Sequence, residues 1–134
     1  MAQTIQQQRA KFALERIQKL PQVLKDKKTK DEFISYASGL PAMIHMNGLG
    51  QAMAFCKLKS KERESYAQLY NLVSDWLCIE SSGTQPSKQP YHQYNDVLTG
   101  ITQSDMAQYQ LAQAEALVFM SWVKKFAKAF LAED

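Results

Sequence analysis

The last thirty residues of the chain, Asp105 to Asp134, contain neither glycine nor proline. Leu111, Phe119, Trp122, Val123, Phe126 and Phe130 fall among them at apolar positions with helical spacing. A stretch of that length with no backbone breaker favours one long helix. The rest of the chain is also poor in breakers. Glycine (5) and proline (4) account for only 9 of 134 residues, below the usual share of about 12%. That is too few for the tight turns of an all-β protein. Hydrophobic residues make up 46% and charged residues 22%, which is enough apolar material for a core. The length suits one domain better than two. The expectation is therefore an all-α fold: a compact helical bundle of five to seven helices, with residues 1–134 as a single domain and a long C-terminal helix.

Apolar periodicity marks the other helices. Ala10, Ala13, Leu14, Ile17, Leu20 and Leu24 recur at three- and four-residue spacing. Pro21 either kinks this helix or starts the next. Residues 25–30 are polar and suggest a loop. A second apolar pattern covers Phe33 to Ala37, with Gly39 as its expected stop. Pro41 then opens a short apolar helix. Asn47 and Gly48 allow a positive φ and hence a sharp bend. Beyond it Leu49, Ala52, Met53 and Cys56 share one helix face. Ser60 suggests an N-cap for the segment carrying Tyr66, Leu69, Tyr70, Val73 and Leu77. Residues 81–90 (SSGTQPSKQP) have the composition of an internal surface loop. Tyr94, Val97, Leu98 and Ile101 resume the helical period, and Thr102 to Asp105 matches a capping box before the final helix.

Charge is uneven. The formal net charge is +3, yet residues 1–30 hold eight basic side chains against Glu15 and Asp26. That segment is +6 and the remainder −3. Such asymmetry fits an anionic partner, and it equally fits a solvated helix face. Lys124 and Lys128 lie roughly opposite Phe126 on the final helix. Cys56 and Cys78 are 22 residues apart at apolar helical positions. Two such thiols read as small hydrophobes in a reduced, cytoplasmic setting. Apolar runs such as Ala116 to Met120 do not exceed five residues, far short of the ~20 needed to cross a bilayer. The first twelve residues show no apolar secretory segment.

No catalytic pattern emerges. There is no HExxH, no Cys/His set with metal-ligand spacing and no GxSxG elbow. His45 sits in an apolar stretch and suits a structural role. Gly48-Leu49-Gly50 lacks the third glycine of a dinucleotide fingerprint, since position 53 is Met53. It reads instead as a tight helix–helix turn, with Gly50 small enough for a close neighbour. No catalytic residue, metal ligand or cofactor is assigned.

Three stretches carry a family resemblance. Leu40 to Phe55 reads LPAMIHMNGLGQAMAF, Ala112 to Phe130 reads AQAEALVFMSWVKKFAKAF, and Arg9 to Ile17 reads RAKFALERI. Together they cover 44 of 134 residues. Taken in chain order, they resemble the small α-helical subunit of type III-B CRISPR effectors, the Cmr small subunit family. The resemblance implies a non-catalytic, cytoplasmic subunit acting in antiviral defence. Copies of such a subunit stack into a short filament beside the backbone subunits that hold guide RNA. The groove between the filaments takes the guide RNA–target RNA duplex. Target cleavage belongs to the backbone subunits, and nuclease or cyclic-nucleotide chemistry to the large polymerase-like subunit.

An RNA groove needs cations aimed at phosphates. The first candidates are Lys124, Lys125 and Lys128, and the second are Arg9, Arg16 and Lys19. Asn47, Gly48, Leu49, Gly50 and Gln51 are candidates for the turn or for subunit packing. The competing expectation is a helical protein–protein interaction module without nucleic-acid contact.

Overall fold

The structure, a computed structural model, describes residues 3–79 and 89–133. Among them are five α-helices and no strand: α1 (Ile5–Lys19), α2 (Lys27–Lys59), α3 (Glu64–Cys78), α4 (Val97–Gln103) and α5 (Met106–Leu131). The fold is all-α, with the long C-terminal helix that its freedom from Gly and Pro foreshadows. No helix among the described residues is long and apolar enough to cross a membrane.

Helix α1 begins one turn before its apolar period does. Thr4 accepts from the Gln7 N–H (3.1 Å) and the Gln7 side chain accepts from the Thr4 N–H (2.8 Å). This reciprocal capping box satisfies two end donors at once. Pro21 lies in a short 3-10 turn, Leu20–Gln22, where α1 ends.

Helix α2 corrects two expectations. It starts inside the polar stretch expected to be a loop, because Asp26 caps it by accepting from the Thr29 N–H (2.8 Å). It also runs through Gly39 and Pro41 without stopping. Phe33, Ala37, Leu40 and Ile44 are fully buried along this limb, and burial of four apolar side chains outweighs the local cost of the two breakers.

The break falls instead at Gly48, with φ 88° and ψ 158°. Tyr66 shows how sharp it is. Its ring lies 3.8 Å from Tyr36 and 5.7 Å from Phe55, so those two rings are no more than about 10 Å apart. A straight helix would separate residues 36 and 55 by ~28 Å. The 27–47 limb and the 49–59 limb therefore fold back on each other.

Two other helix ends differ from expectation. Ser60 closes α2, donating its N–H to Cys56 O, and Arg63 precedes α3. Thr102 lies within α4 and donates to Leu98 O (2.9 Å), while Asp105 caps α5 by accepting from the Gln108 N–H (2.8 Å).

Helices α2 and α5 run antiparallel. Lys30 meets Glu133 at one end, and Leu49 meets Gln113 at the other. Helices α1, α3 and α5 meet at three rings: Trp76 stacks on Phe119 at 5.1 Å and Phe12 lies 5.2 Å from Trp76. Helix α4 approaches the buried Tyr91 through Gly100, where a Cβ would lie 2.6 Å from the ring. Residues 81–88 of the expected surface loop lie outside the described residues. Gln89 is buried, and the Tyr91 N–H donates to Leu77 O (2.9 Å).

Both cysteines are free, Cys56 buried and Cys78 half-buried. Burial pushes each thiol up to about 11. An unfolded thiol gives up its proton near 9, so between pH 9 and 11 the unfolded chain binds fewer protons than the native one. Stability is expected to hold below pH 9 and to fall toward pH 11. Replacing Cys56 by Ala should flatten part of that fall in thermal melts recorded across the range.

The glycines give an opposing pair of expectations. Gly48→Ala forces a Cβ into positive φ, 3.1 Å from the Tyr109 hydroxyl, and should cost about 1–2 kcal/mol. Gly39 is helical with open space around it, so Gly39→Ala should stabilise by about 0.5–1 kcal/mol. Urea unfolding midpoints that move in opposite directions would bear this out.

Candidate nucleic-acid interface

Lys124, Lys125 and Lys128 all project from α5 and are exposed. At about 100° per residue they occupy an arc of about 100°. None has an acidic partner among the described residues. Lys128 also lies in the last turn of α5, where the helix dipole favours a cation. Their placement follows from the core face of the same helix, since Met120, Val123 and Ala127 are buried and turn the lysines outward.

The arginines are placed differently. Arg9 Nε and Nη2 donate to the two oxygens of Glu115 (2.6 and 2.8 Å), and Trp76 Nε1 donates to the same carboxylate (2.9 Å). Both charged side chains are only 12% exposed. The bond to Glu115 raises the Arg9 pKa further, against the opposing effect of burial. This bidentate pair fastens α1 to α5 and α3. Arg16 donates to Asp75 (2.7 Å), fastening α1 to α3 a second time. The charge of both arginines is thus matched within the fold. Lys19 is exposed near the end of α1 and has no ion-pair partner among the described residues.

The glycine turn is a packing site. Gln113 Oε1 accepts from the Leu49 N–H (2.9 Å) and the Tyr109 hydroxyl accepts from the Gly50 N–H (3.0 Å). A Cβ on Gly50 would stand 3.3 Å from Ile101 Cγ2. Asn47 and Gln51 are exposed beside it, while Leu49 is buried. Glu115, Trp76, Tyr109 and Gln113 hold these contacts without a signature in the sequence. No local pattern marks them, because their partners lie on other helices.

An open groove along the start of α2 is lined by Lys27, Lys28, Asp31, Glu32, Ser35 and Tyr36. Its charges are of both signs, so it presents no net pull on an anion. Among the described residues no group of three or more His, Cys, Asp or Glu side chains is placed to hold a metal ion.

What the fold presents is therefore surface: a small helical bundle with a lysine-bearing helix end and a glycine turn locked into its core. The sequence profile of the family described as CRISPR-associated protein (Cas_Cmr5) matches residues 5–130, and the chain belongs to that family. A solved structure with the same fold is the X-ray crystal structure of a CRISPR-associated Cmr5 family protein from Thermus thermophilus. It is 24% identical, covers 98% of this chain and 100% of that one, and superposes with a TM-score of 0.69. The chain is a small subunit of the type III-B, or Cmr, class. The family is a structural subunit of the Cmr complex, which implies contact with other Cmr subunits.

The Arg9–Glu115 pair makes a direct prediction. Arg9→Ala would leave a largely buried carboxylate without its cation, at a cost of about 3 kcal/mol. Chemical unfolding should show that loss, whereas Lys124→Ala should leave the unfolding free energy within about 0.5 kcal/mol of the parent.

Proposed function

We propose that the chain is a non-catalytic subunit that helps line the guide–target RNA groove of a type III-B effector, working in the cytoplasm. Copies stack into a filament beside the backbone subunits, near the large polymerase-like subunit. Lys124, Lys125 and Lys128 contact the phosphate backbone, with Lys19 as a further contact. Arg9 and Arg16 contribute by holding α1 in place. No cofactor or metal enters this role.

The observation that carries the reading is the set of three exposed lysines on one arc of α5, none with an acidic partner among the described residues. Contacts of this kind bind phosphate without reading sequence, which suits a subunit that must accept any guide. A second reading is a protein–protein module that touches no RNA. It draws on the exposure of Met46, Met106 and Leu111, at 82%, 74% and 65%, since apolar exposure of that kind suits protein partners.

Binding of labelled single-stranded RNA and of a guide–target duplex, titrated at several salt concentrations, separates the two. Three α5 contacts to a single strand should give a log–log salt slope near −2, and Lys19 would steepen it toward about −3, from roughly 0.7 per contact. Changing Lys124, Lys125 and Lys128 together to Ala should weaken binding and flatten the slope with no change in the unfolding midpoint. Unchanged affinity and slope would remove these lysines from the RNA contact. Omission of the subunit from a reconstituted effector without any loss of RNA affinity would favour the protein–protein module.

A further inference from the structure

The solvent side of α5 carries a feature that the lysine site does not use. Ala107, Leu111, Ala114, Val118 and Ser121 are all exposed and follow one another at intervals of four, three, four and three residues. That is the spacing of a helix-pairing seam, here ~21 Å long. The solvent face of a helix ordinarily carries charge. From Met106 to Ser121 the one charged residue is Glu115, and it is bound to Arg9 and Trp76. The seam's one hydroxyl, on Ser121, already donates to Val118 O (2.8 Å). Covering the seam would therefore strand no side-chain polar group of its own.

We propose that this face pairs with the same face of a second copy, antiparallel, about a two-fold axis near residues 112 and 113. In that register Leu111 of one copy packs on Ala114 of the other, and Val118 packs on Ala107. Each large side chain meets a small one, and the two-fold axis repeats every contact. Small residues let the two backbones come close, and Leu111 and Val118 fill the space they leave.

Charge favours the antiparallel sense. Residues 89–123 contain Asp96, Asp105 and Glu115 but no Lys or Arg. Antiparallel pairing sets the Lys124, Lys125 and Lys128 end of each copy beside the lysine-free end of the other. The two lysine clusters then stay ~35–45 Å apart, whereas a parallel pairing would bring them together. A seam of this length covers about 1,000 Å² in total, at the low end for specific interfaces. The pairing is accordingly weak, in the micromolar range or above. It needs neither RNA nor another subunit.

Sedimentation equilibrium of the isolated chain, from low to high micromolar concentration, tests the proposal. A monomer–dimer equilibrium is expected, and Val118→Lys should raise its dissociation constant at least about tenfold. Circular dichroism and the unfolding midpoint of that variant should stay at parent values. Ala107→Glu tests the same contact from its other side. An equimolar mixture of Leu111→Cys and Ala114→Cys chains should cross-link on mild oxidation faster than either chain alone. A chain that stays monomeric throughout overturns the proposal. So does a dimer indifferent to both charged variants, or cross-linking with no preference for the mixed pair. The RNA titration reads α5 lysines that lie outside the Ala107–Ser121 contacts, so this pairing and the groove reading can fail separately.

Discussion

Where the chain reverses at Gly48, the N–H groups of Leu49 and Gly50 begin a new helical limb with no carbonyl behind them to bond. Both are answered from across the core, by Gln113 and Tyr109. Left unpaired, each would cost about 1–3 kcal/mol. The two acceptors stand one turn apart on α5, so together they fix its axial position along the reversed α2. The remaining placements follow. Glu115, two residues beyond Gln113, comes to Arg9 and Trp76, and Phe119, one turn further, stacks on Trp76. The lysines of α5 emerge at a fixed distance past that point, because a helix cannot slide when four of its side chains are committed.

Much of this was legible in the residue order. The long run free of Gly and Pro and its apolar period foretell α5, and Asn47-Gly48 foretells the reversal. Gly39 and Pro41 were misleading. Local preference favours a stop there, but Phe33, Ala37, Leu40 and Ile44 continue the buried face straight past them, and tertiary burial decided the outcome. Ser60 and Thr102 resemble N-caps, yet Ser60 closes α2 and Thr102 lies within α4. A helix boundary depends on where packing stops as well as on which side chain can cap. The true box, Thr4 with Gln7, was present in the sequence but preceded the apolar pattern.

The candidate site divides along the same line. An outward face on α5 follows from its core face, so the exposure of Lys124, Lys125 and Lys128 was readable. The fate of Arg9 and Arg16 was not. Their partners lie 106 and 59 residues away along the chain, and no local pattern links positions so far apart. The apparent surplus of positive charge in the first thirty residues is therefore partly internal. Lys27 and Lys30 also meet acids, Asp31 and Glu133. Net charge by segment overstates what that end of the chain offers to an anionic partner.

The span between Arg9 and Glu115 also bears on the order in which the molecule can be built. A chain is made from its N-terminus, and α1 leaves the ribosome before the helices it packs against. Its caps and two turns of apolar face give a helix too short to persist alone in water. The carboxylate that receives its guanidinium lies 106 residues further along the chain and appears later. Until then the Trp76 indole N–H has only water to bond and Phe12 has no Phe119 to rest on. The α2 reversal and α3 hold their mutual contacts within a shorter stretch and can assemble first. The nascent bundle is thus partial, with α1 waiting, and completion of α5 closes it against α1 and α3 at once.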